Sequence, residues 1–154
     1  MADIHQLKSV DSKCFPLEIL FKEKFTVDFY QREYVWEKKQ LEDLINDLSN
    51  AFLKCWKPED STSNVRSYDP YFMGEIVLSL KTDERSAIID GQQRITTFTL
   101  LLIYMLQTYK NIKGFPKSKI EDAIYSDDYG IPRFNLDIED RKQCMLSLYE
   151  HGFY

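Results

Sequence analysis

The sequence predicts a small α/β domain in which strands and helices alternate along the chain. The segments behind this prediction are strand-like runs at 25–29, 75–80 and 86–90 and helical patterns at 37–52 and 92–109. A chain of 154 residues buries roughly 68–70% of the surface that its unfolded form exposes, which is enough for one core. We therefore expect one domain over residues 1–154. Because the chain ends soon after its last predicted helix, without a visible stop feature, we also expect a fragment of a longer protein.

The first half of the chain predicts a short helix, a strand and a long helix. Pro16 stands near the start of an amphipathic turn at 15–24, which should pack on the strand that follows. The segment 57–70 has two prolines and no apolar periodicity, so it predicts a mobile surface loop. The apolar residues of the long helix recur at three- and four-residue spacing and define one face, formed by Leu41, Leu44, Ile45, Leu48 and Phe52.

The second half predicts a hairpin followed by a buried helix. The runs at 75–80 and 86–90 are joined by a polar connection of about five residues, as in a β-hairpin. The helix at 92–109 is apolar on most sides after its first turn, which is typical of a helix buried by its neighbours. The remaining predicted elements are a weaker helix at 118–125, a loop at 126–132, a strand at 133–136 and a helix at about 138–150.

Charge and hydropathy exclude several classes of protein. Twenty basic and 25 acidic residues give a net charge of -5, which opposes a broad surface for duplex DNA but allows a local site for a small anion. No window approaches ~18 uncharged apolar residues, and the amino-terminal residues form no signal-peptide core. We therefore expect a cytoplasmic protein with no membrane partner.

The cysteines and histidines predict neither a disulfide framework nor a zinc site. Cys14, Cys55 and Cys144 are odd in number and far apart, so we expect them to be reduced and to serve packing. His5 and His151 lie near opposite ends of the chain and supply no sequence-local zinc ligands.

The turn Asp90 to Arg94 lies between a predicted strand and a predicted helix, an arrangement suited to anions. The first amides of a helix lack internal partners and carry the positive end of its dipole, so a phosphate is the expected ligand. The groups suited to hold it are the backbone at Gly91, the side-chain amides of Gln92 and Gln93, the guanidinium of Arg94 and the hydroxyls of Thr96 and Thr97.

Asp90 has two possible roles at this turn. A carboxylate repels phosphate directly, so beside a phosphate Asp90 would act as a magnesium ligand or position a water molecule. Alternatively, Asp90 caps the helix and Arg94 pairs with a local carboxylate. The residues alone leave both readings open.

A second cluster, YQREYVW at 30–36, combines an amide, a guanidinium and three aromatic rings. Such a loop is suited to stack a base and to grip a phosphate through Gln31, Arg32, Tyr34 and Trp36. In the alternative reading, Tyr34 and Trp36 cover the core and Arg32 pairs with an acidic neighbour.

Three segments in order resemble the GmrSD-type family of modification-dependent restriction proteins. FTVDFYQREYVW is similar to its IPxYQRxYxW segment, and YFMGEIVLSL with AIIDGQQRITTFTLL is similar to its glycine-strand and DGQQR segments. RFNL resembles its later R-x-x-L element. The resemblance covers nearly the whole chain. It implies a ParB/sulfiredoxin-like fold, a small mixed sheet with packed helices.

The resemblance also implies site residues. Gly91 and Arg94 match the phosphate-turn positions of ParB and sulfiredoxin, while Gln31 and Arg32 resemble the Q-P-R element of ParB. Sulfiredoxin's catalytic cysteine would fall at Gln92, which excludes sulfinic-acid reduction. The candidate catalytic residues are Asp90, Gln93 and Arg94, with Asp90 as the possible magnesium ligand.

Three functions are compatible with these features. The first, which the resemblance implies, is binding and hydrolysis of a nucleoside triphosphate with magnesium, in phage defence by restriction of modified DNA. This chain has no H-x-N-type motif, so an HNH-type nuclease domain or subunit is the expected partner, and DNA would be bound through the full-length protein or complex. The alternatives are a non-hydrolysing, ParB-like module that binds nucleotide or DNA for regulation, and a protein-interaction scaffold.

Overall fold

The computed structural model describes residues 11–27, 33–80, 85–128 and 131–152. Within these ranges the helices are α1 (Leu17–Leu20), α2 (Lys38–Cys55), α3 (Gln92–Tyr109), α4 (Lys117–Ile124) and α5 (Glu139–His151). The strands are β1 (Phe25–Thr26), β2 (Val77–Leu80), β3 (Ser86–Asp90), β4 (Tyr125–Asp128), β5 (Ile131–Phe134) and β6 (Leu136–Asp137). The predicted mixed α/β class is confirmed.

The main sheet has the strand order β2-β3-β1-β6. β2 is antiparallel to β3, as the predicted hairpin requires. β1 is parallel to both of its neighbours, with Phe25 opposite Ser86 of β3 and Leu136 of β6. The carboxyl ends of β1, β3 and β6 therefore point to one edge, which we call the carboxyl edge. In open α/β sheets this is the edge outside which ligands bind.

Helix α3 organises the core and begins at the carboxyl edge. Its buried residues near the start, Ile95 and Phe98, pack with Phe25 and Ile88 of the sheet. Its later buried residues pack with α4, β5 and α5 in a second core cluster. This cluster consists of Ile103, Leu106, Ile120, Ile124, Phe134 and Met145. The prediction of a central buried helix over 92–109 is confirmed to the residue.

Residues 125–136 differ from the prediction. Instead of a loop followed by one strand, the chain forms the hairpin β4–β5, and the predicted strand RFNL is divided between two sheets. The division occurs at buried Asn135, whose Nδ2 donates to the carbonyls of Phe21, Asp122 and Ala123 at 3.0, 2.9 and 3.0 Å. The ring of Tyr125 packs at 4.2 Å from that of Phe134, which supports the hairpin from its apolar side.

Near the amino terminus, α1 starts after Pro16 and packs on β1 as predicted. The apolar face predicted for α2 is only partly used, because Leu44 and Leu48 pack against the core whereas Leu41, Ile45 and Phe52 stay exposed. The predicted loop at 57–70 lies on the surface but includes a 3-10 helix, Asn64–Ser67.

The cysteines form no disulfide, as expected, and Cys14 and Cys144 are exposed, so a packing role for these two is wrong. None of the helices in the described ranges combines the length and hydropathy needed to cross a lipid bilayer.

Candidate functional site

The strand-to-helix turn begins with an exposed carboxylate and a left-handed glycine. Gly91 is the residue before α3 and has a φ of 91°, a conformation that favours glycine. Asp90 Oδ1 accepts a hydrogen bond from Gly91 N–H at 2.8 Å, and the N-cap residue of α3 is Gly91, not Asp90. The reading of Asp90 as the helix cap is therefore wrong. Its carboxylate remains exposed beside the first turn of the helix.

Arg94 is held by backbone rather than by a carboxylate. Its Nη1 donates to the carbonyl of Glu75 at 2.6 Å. A Cβ built on Gly74 would lie 2.9 Å from Arg94 Cζ, so the glycine makes room for the guanidinium. Among the described residues no carboxylate, Asp90 included, forms an ion pair with Arg94, so the alternative in which Arg94 pairs with a local carboxylate finds no partner there.

The second half of the YQREYVW cluster contacts the first turns of α3. Gln93 Nε2 donates to the carbonyl of Glu33 at 2.8 Å, and Gln93 Oε1 accepts from Val35 N–H at 3.0 Å. Tyr34 Oη lies 2.9 Å from Thr97 Oγ1, which also donates to the carbonyl of Gln93 at 2.8 Å. Both ends of the Gln93 amide therefore fasten the loop to the helix.

Arg141, which the sequence did not single out, joins the same cluster from α5. Its Nη1 donates to Thr96 Oγ1 at 3.2 Å, and its Cζ lies 5.8 Å from the centroid of the Tyr34 ring. Burial lowers the pKa of Arg141 from its ordinary value, while the nearby Asp140, Glu33 and Tyr34 raise it. No signal in the sequence identified Arg141, because its segment matched no motif and the residues that hold its guanidinium, Thr96 and Tyr34, lie more than 40 positions away.

The predicted site residues differ in how deeply they are buried. Gly91, Gln92, Thr96 and Thr97 are buried at the start of α3, and Tyr34 and Trp36 are half-buried. Asp90 is exposed and Arg94 half-buried. Gln31 and Arg32 lie outside the described residues, so their contact with phosphate stays a prediction. Two further contributors are Gly74 and the carbonyl of Glu75, which the glycine in MGEIVL could have indicated.

Two surface clefts in the described part of the chain, with volumes of about 340 and 490 Å³, lie elsewhere. They are lined by α2 and the segment after it, including Cys55 and Tyr68 in one and Asp47 and Tyr71 in the other. No predicted site residue lines either cleft. In the described part of the chain, no group of three or more His, Cys, Asp or Glu side chains is placed to hold a metal ion.

These features define an α/β domain whose parallel strands end beside the start of a helix, where Arg94 has no carboxylate partner among the described residues. Residues 17–150 match the family model of the GmrSD restriction endonuclease N-terminal domain, and the chain belongs to this family. Membership connects the chain with a restriction system. No curated protein matches the chain.

Proposed function

We propose that this domain binds a nucleoside triphosphate at the carboxyl edge and hydrolyses it with magnesium. The observation that carries the proposal is the Arg94 guanidinium, which lies at the uncapped start of α3 and has no carboxylate partner among the described residues. A guanidinium at the positive end of a helix dipole attracts anions and has donors to spare for phosphate oxygens.

The residues at the carboxyl edge have different roles in this proposal. Arg94 donates to phosphate while the Glu75 carbonyl and Gly74 fix its position. Gln93 acts as a positioning residue, because its amide already bonds the loop at Glu33 and Val35. The catalytic role predicted for Gln93 stays a prediction. Tyr34 and Trp36 remain the candidates for packing against the base.

The carboxyl edge fits a magnesium ion that is held mainly by phosphate oxygens and water, not one held by protein ligands alone. Magnesium is usually held by one or two carboxylates together with phosphate oxygens and water, where it neutralises phosphate charge. The exposed carboxylate of Asp90 supplies one such ligand, and the described residues offer no cluster of three. Asp90 is therefore the residue that would hold the ion, directly or through water.

The biological role proposed is phage defence by restriction of DNA that carries modified bases. Family membership supports this role. The net charge of -5 is unfavourable for binding duplex DNA, which supports the proposal that another domain or subunit, of the HNH nuclease type, binds and cleaves the DNA. A non-hydrolysing, ParB-like regulatory module is the second candidate. It is favoured because both ends of the Gln93 amide already bond the loop, so that in this alternative Gln93 is not available for catalysis and Asp90 is the exposed acid at the turn.

Replacement of Arg94 tests the proposal. Arg94→Ala should weaken triphosphate binding roughly ten- to a hundred-fold, because a charge-assisted hydrogen bond contributes about 1.5–3 kcal/mol. Isothermal titration calorimetry on the full chain with ATP and with GTP, each with magnesium, measures this change. Arg66→Ala is the matched control, since Arg66 is an exposed arginine in the 3-10 helix after α2.

Turnover separates the two candidates. Binding by the wild type with release of inorganic phosphate supports the hydrolase. Binding without release, in the full-length protein with its nuclease partner, supports the regulatory module. If neither ATP nor GTP binds, the proposal is wrong and a protein-interaction scaffold is the remaining function.

A further inference from the structure

Arg141 enters the carboxyl edge because α5 runs parallel to α3. Near the starts of the two helices Arg141 bonds Thr96, and near their ends the Gln107 side chain donates to the carbonyl of Tyr149. Buried Met145 holds the middle of α5 in the second core cluster. The packing therefore fixes the first turn of α5 beside the first turn of α3.

The guanidinium of Arg141 is oriented but not neutralised. Thr96 Oγ1 and the face of the Tyr34 ring hold it from two sides, at 3.2 and 5.8 Å. Among the described residues it forms no ion pair, although Asp140 and Glu33 lie near enough to influence its pKa. One donor is used by Thr96, and a guanidinium has five. A partly buried arginine with free donors is suited to bind an anion.

Arg141 and Arg94 approach the start of α3 from different sides. Thr96, the anchor of Arg141, shares a helix face with Gln92 four residues earlier. Arg94 lies two positions from Thr96, which is about 200° around the helix axis. We expect the two guanidiniums to approach an anion bound ahead of the first turn from different sides. A chain of linked phosphates matches two separated cations better than a single phosphate does.

We propose that Arg141 is a second phosphate-binding residue of this site and that it selects for the triphosphate form of the nucleotide. The inference rests on the proposed function and deepens it, because it assigns Arg94 and Arg141 to different phosphate groups of one ligand. Tyr34 thereby makes two contacts, a cation–π contact with Arg141 and a hydrogen bond that fastens the loop to Thr97.

The test compares the affinities of triphosphate, diphosphate and inorganic phosphate in variants of the full chain. Arg141→Gln should lower triphosphate affinity roughly ten-fold or more while changing inorganic phosphate affinity little. Arg141→Lys should restore part of the loss, because it keeps the charge but not the planar donor geometry. Lys142→Gln is the matched control, since it removes a positive charge from the next, exposed position, which faces Glu139.

The outcomes separate this inference from the proposed function. One outcome is that the wild type binds triphosphate, Arg94→Ala binds it weakly, and Arg141→Gln either keeps its affinities or loses affinity for all three ligands by the same factor. Arg141 is then structural, and the inference is wrong while the proposed function stands. If the wild type binds none of the ligands, both are wrong. A loss confined to the triphosphate, with an unchanged circular dichroism spectrum, supports Arg141 as a ligand-binding residue.

Discussion

One arginine precedes strand β3 and another follows it, and the two lie in opposite environments. At the amino end, Arg85 is largely buried, with 13% of its side chain exposed, and its Nη2 lies 3.8 Å from Asp137 Oδ2. Its Nη1 donates to the carbonyl of Phe25 at 3.4 Å. Beyond the carboxyl end, Arg94 meets a backbone carbonyl and no described carboxylate. Arg85 is paired with a carboxylate and joins three strands, whereas Arg94 forms no ion pair with the described residues.

The difference shows that the residue type does not decide what an arginine does. Arg85 lies between β3, β1 and β6, and removing it would leave a carboxylate and a carbonyl without their partner. Arg94 lies where a helix begins and a carboxylate would compete with an anionic ligand. We therefore expect changes at the amino end to affect stability and changes at the carboxyl end to affect binding and turnover.

The largest effect on stability is expected for Arg85→Ala. Removing one partner of a mostly buried pair leaves the Asp137 charge and the Phe25 carbonyl unsatisfied, at a cost of about 2–4 kcal/mol in the free energy of unfolding. Arg94→Ala should cost below about 1 kcal/mol, because it loses one half-exposed hydrogen bond. Urea denaturation of both variants measures the difference. Equal losses would contradict the contrast between the two ends.

At the carboxyl end, Asp90→Asn should lower metal-dependent turnover by roughly a hundred-fold and leave triphosphate affinity nearly unchanged. Asparagine keeps a side-chain oxygen for the Gly91 amide but removes the negative charge, so local structure is preserved while the magnesium ligand is weakened. Phosphate release measured against magnesium concentration is the readout. Wild-type turnover in this variant would remove Asp90 from the catalytic residues.

A smaller effect is expected for Gly74→Ala. Its φ of 95° costs an L residue about 1–2 kcal/mol, and the new Cβ would meet Arg94 Cζ at 2.9 Å and displace the guanidinium. Gly114→Ala is the control, because Gly114 has a φ of 87° and nothing within 4 Å of its Cβ position. Both variants should lose similar stability, but only Gly74→Ala should bind triphosphate several-fold more weakly. Similar affinities in calorimetry would show that the position of Arg94 does not matter.

Long apolar periodicity predicted the fold better than short polar segments did. The bounds of α3 were predicted to the residue, because its apolar pattern continues over 18 residues. The hairpin β4–β5 was missed because YSDDYGIP has turn residues and no alternation. Asn135, read as part of one strand, instead separates two sheets through its contacts with three carbonyls.

Part of the candidate site was predictable from neighbouring residues alone. The turn Asp90 to Arg94 and the YQREYVW cluster were identified as motifs, and their described parts meet through Gln93 and Thr97. Arg141 was not predictable, since it lies on α5 and contacts α3 only after folding, whereas the Glu75 carbonyl was indicated only by the glycine that precedes it.

Local sequence decided the class of the domain, the strand-to-helix turn at Gly91 and the positions of the charged groups along the chain. These properties depend on residues within a few positions of one another, through hydrogen bonding, periodicity and glycine conformation. Tertiary structure decided which charges are neutralised. Arg85 meets Asp137 across 52 positions, whereas Arg94 and Arg141 meet a carbonyl and a hydroxyl. Because ionic interactions depend on distance and burial rather than on sequence separation, only the folded chain distinguishes an arginine that is paired with a carboxylate from one that is not.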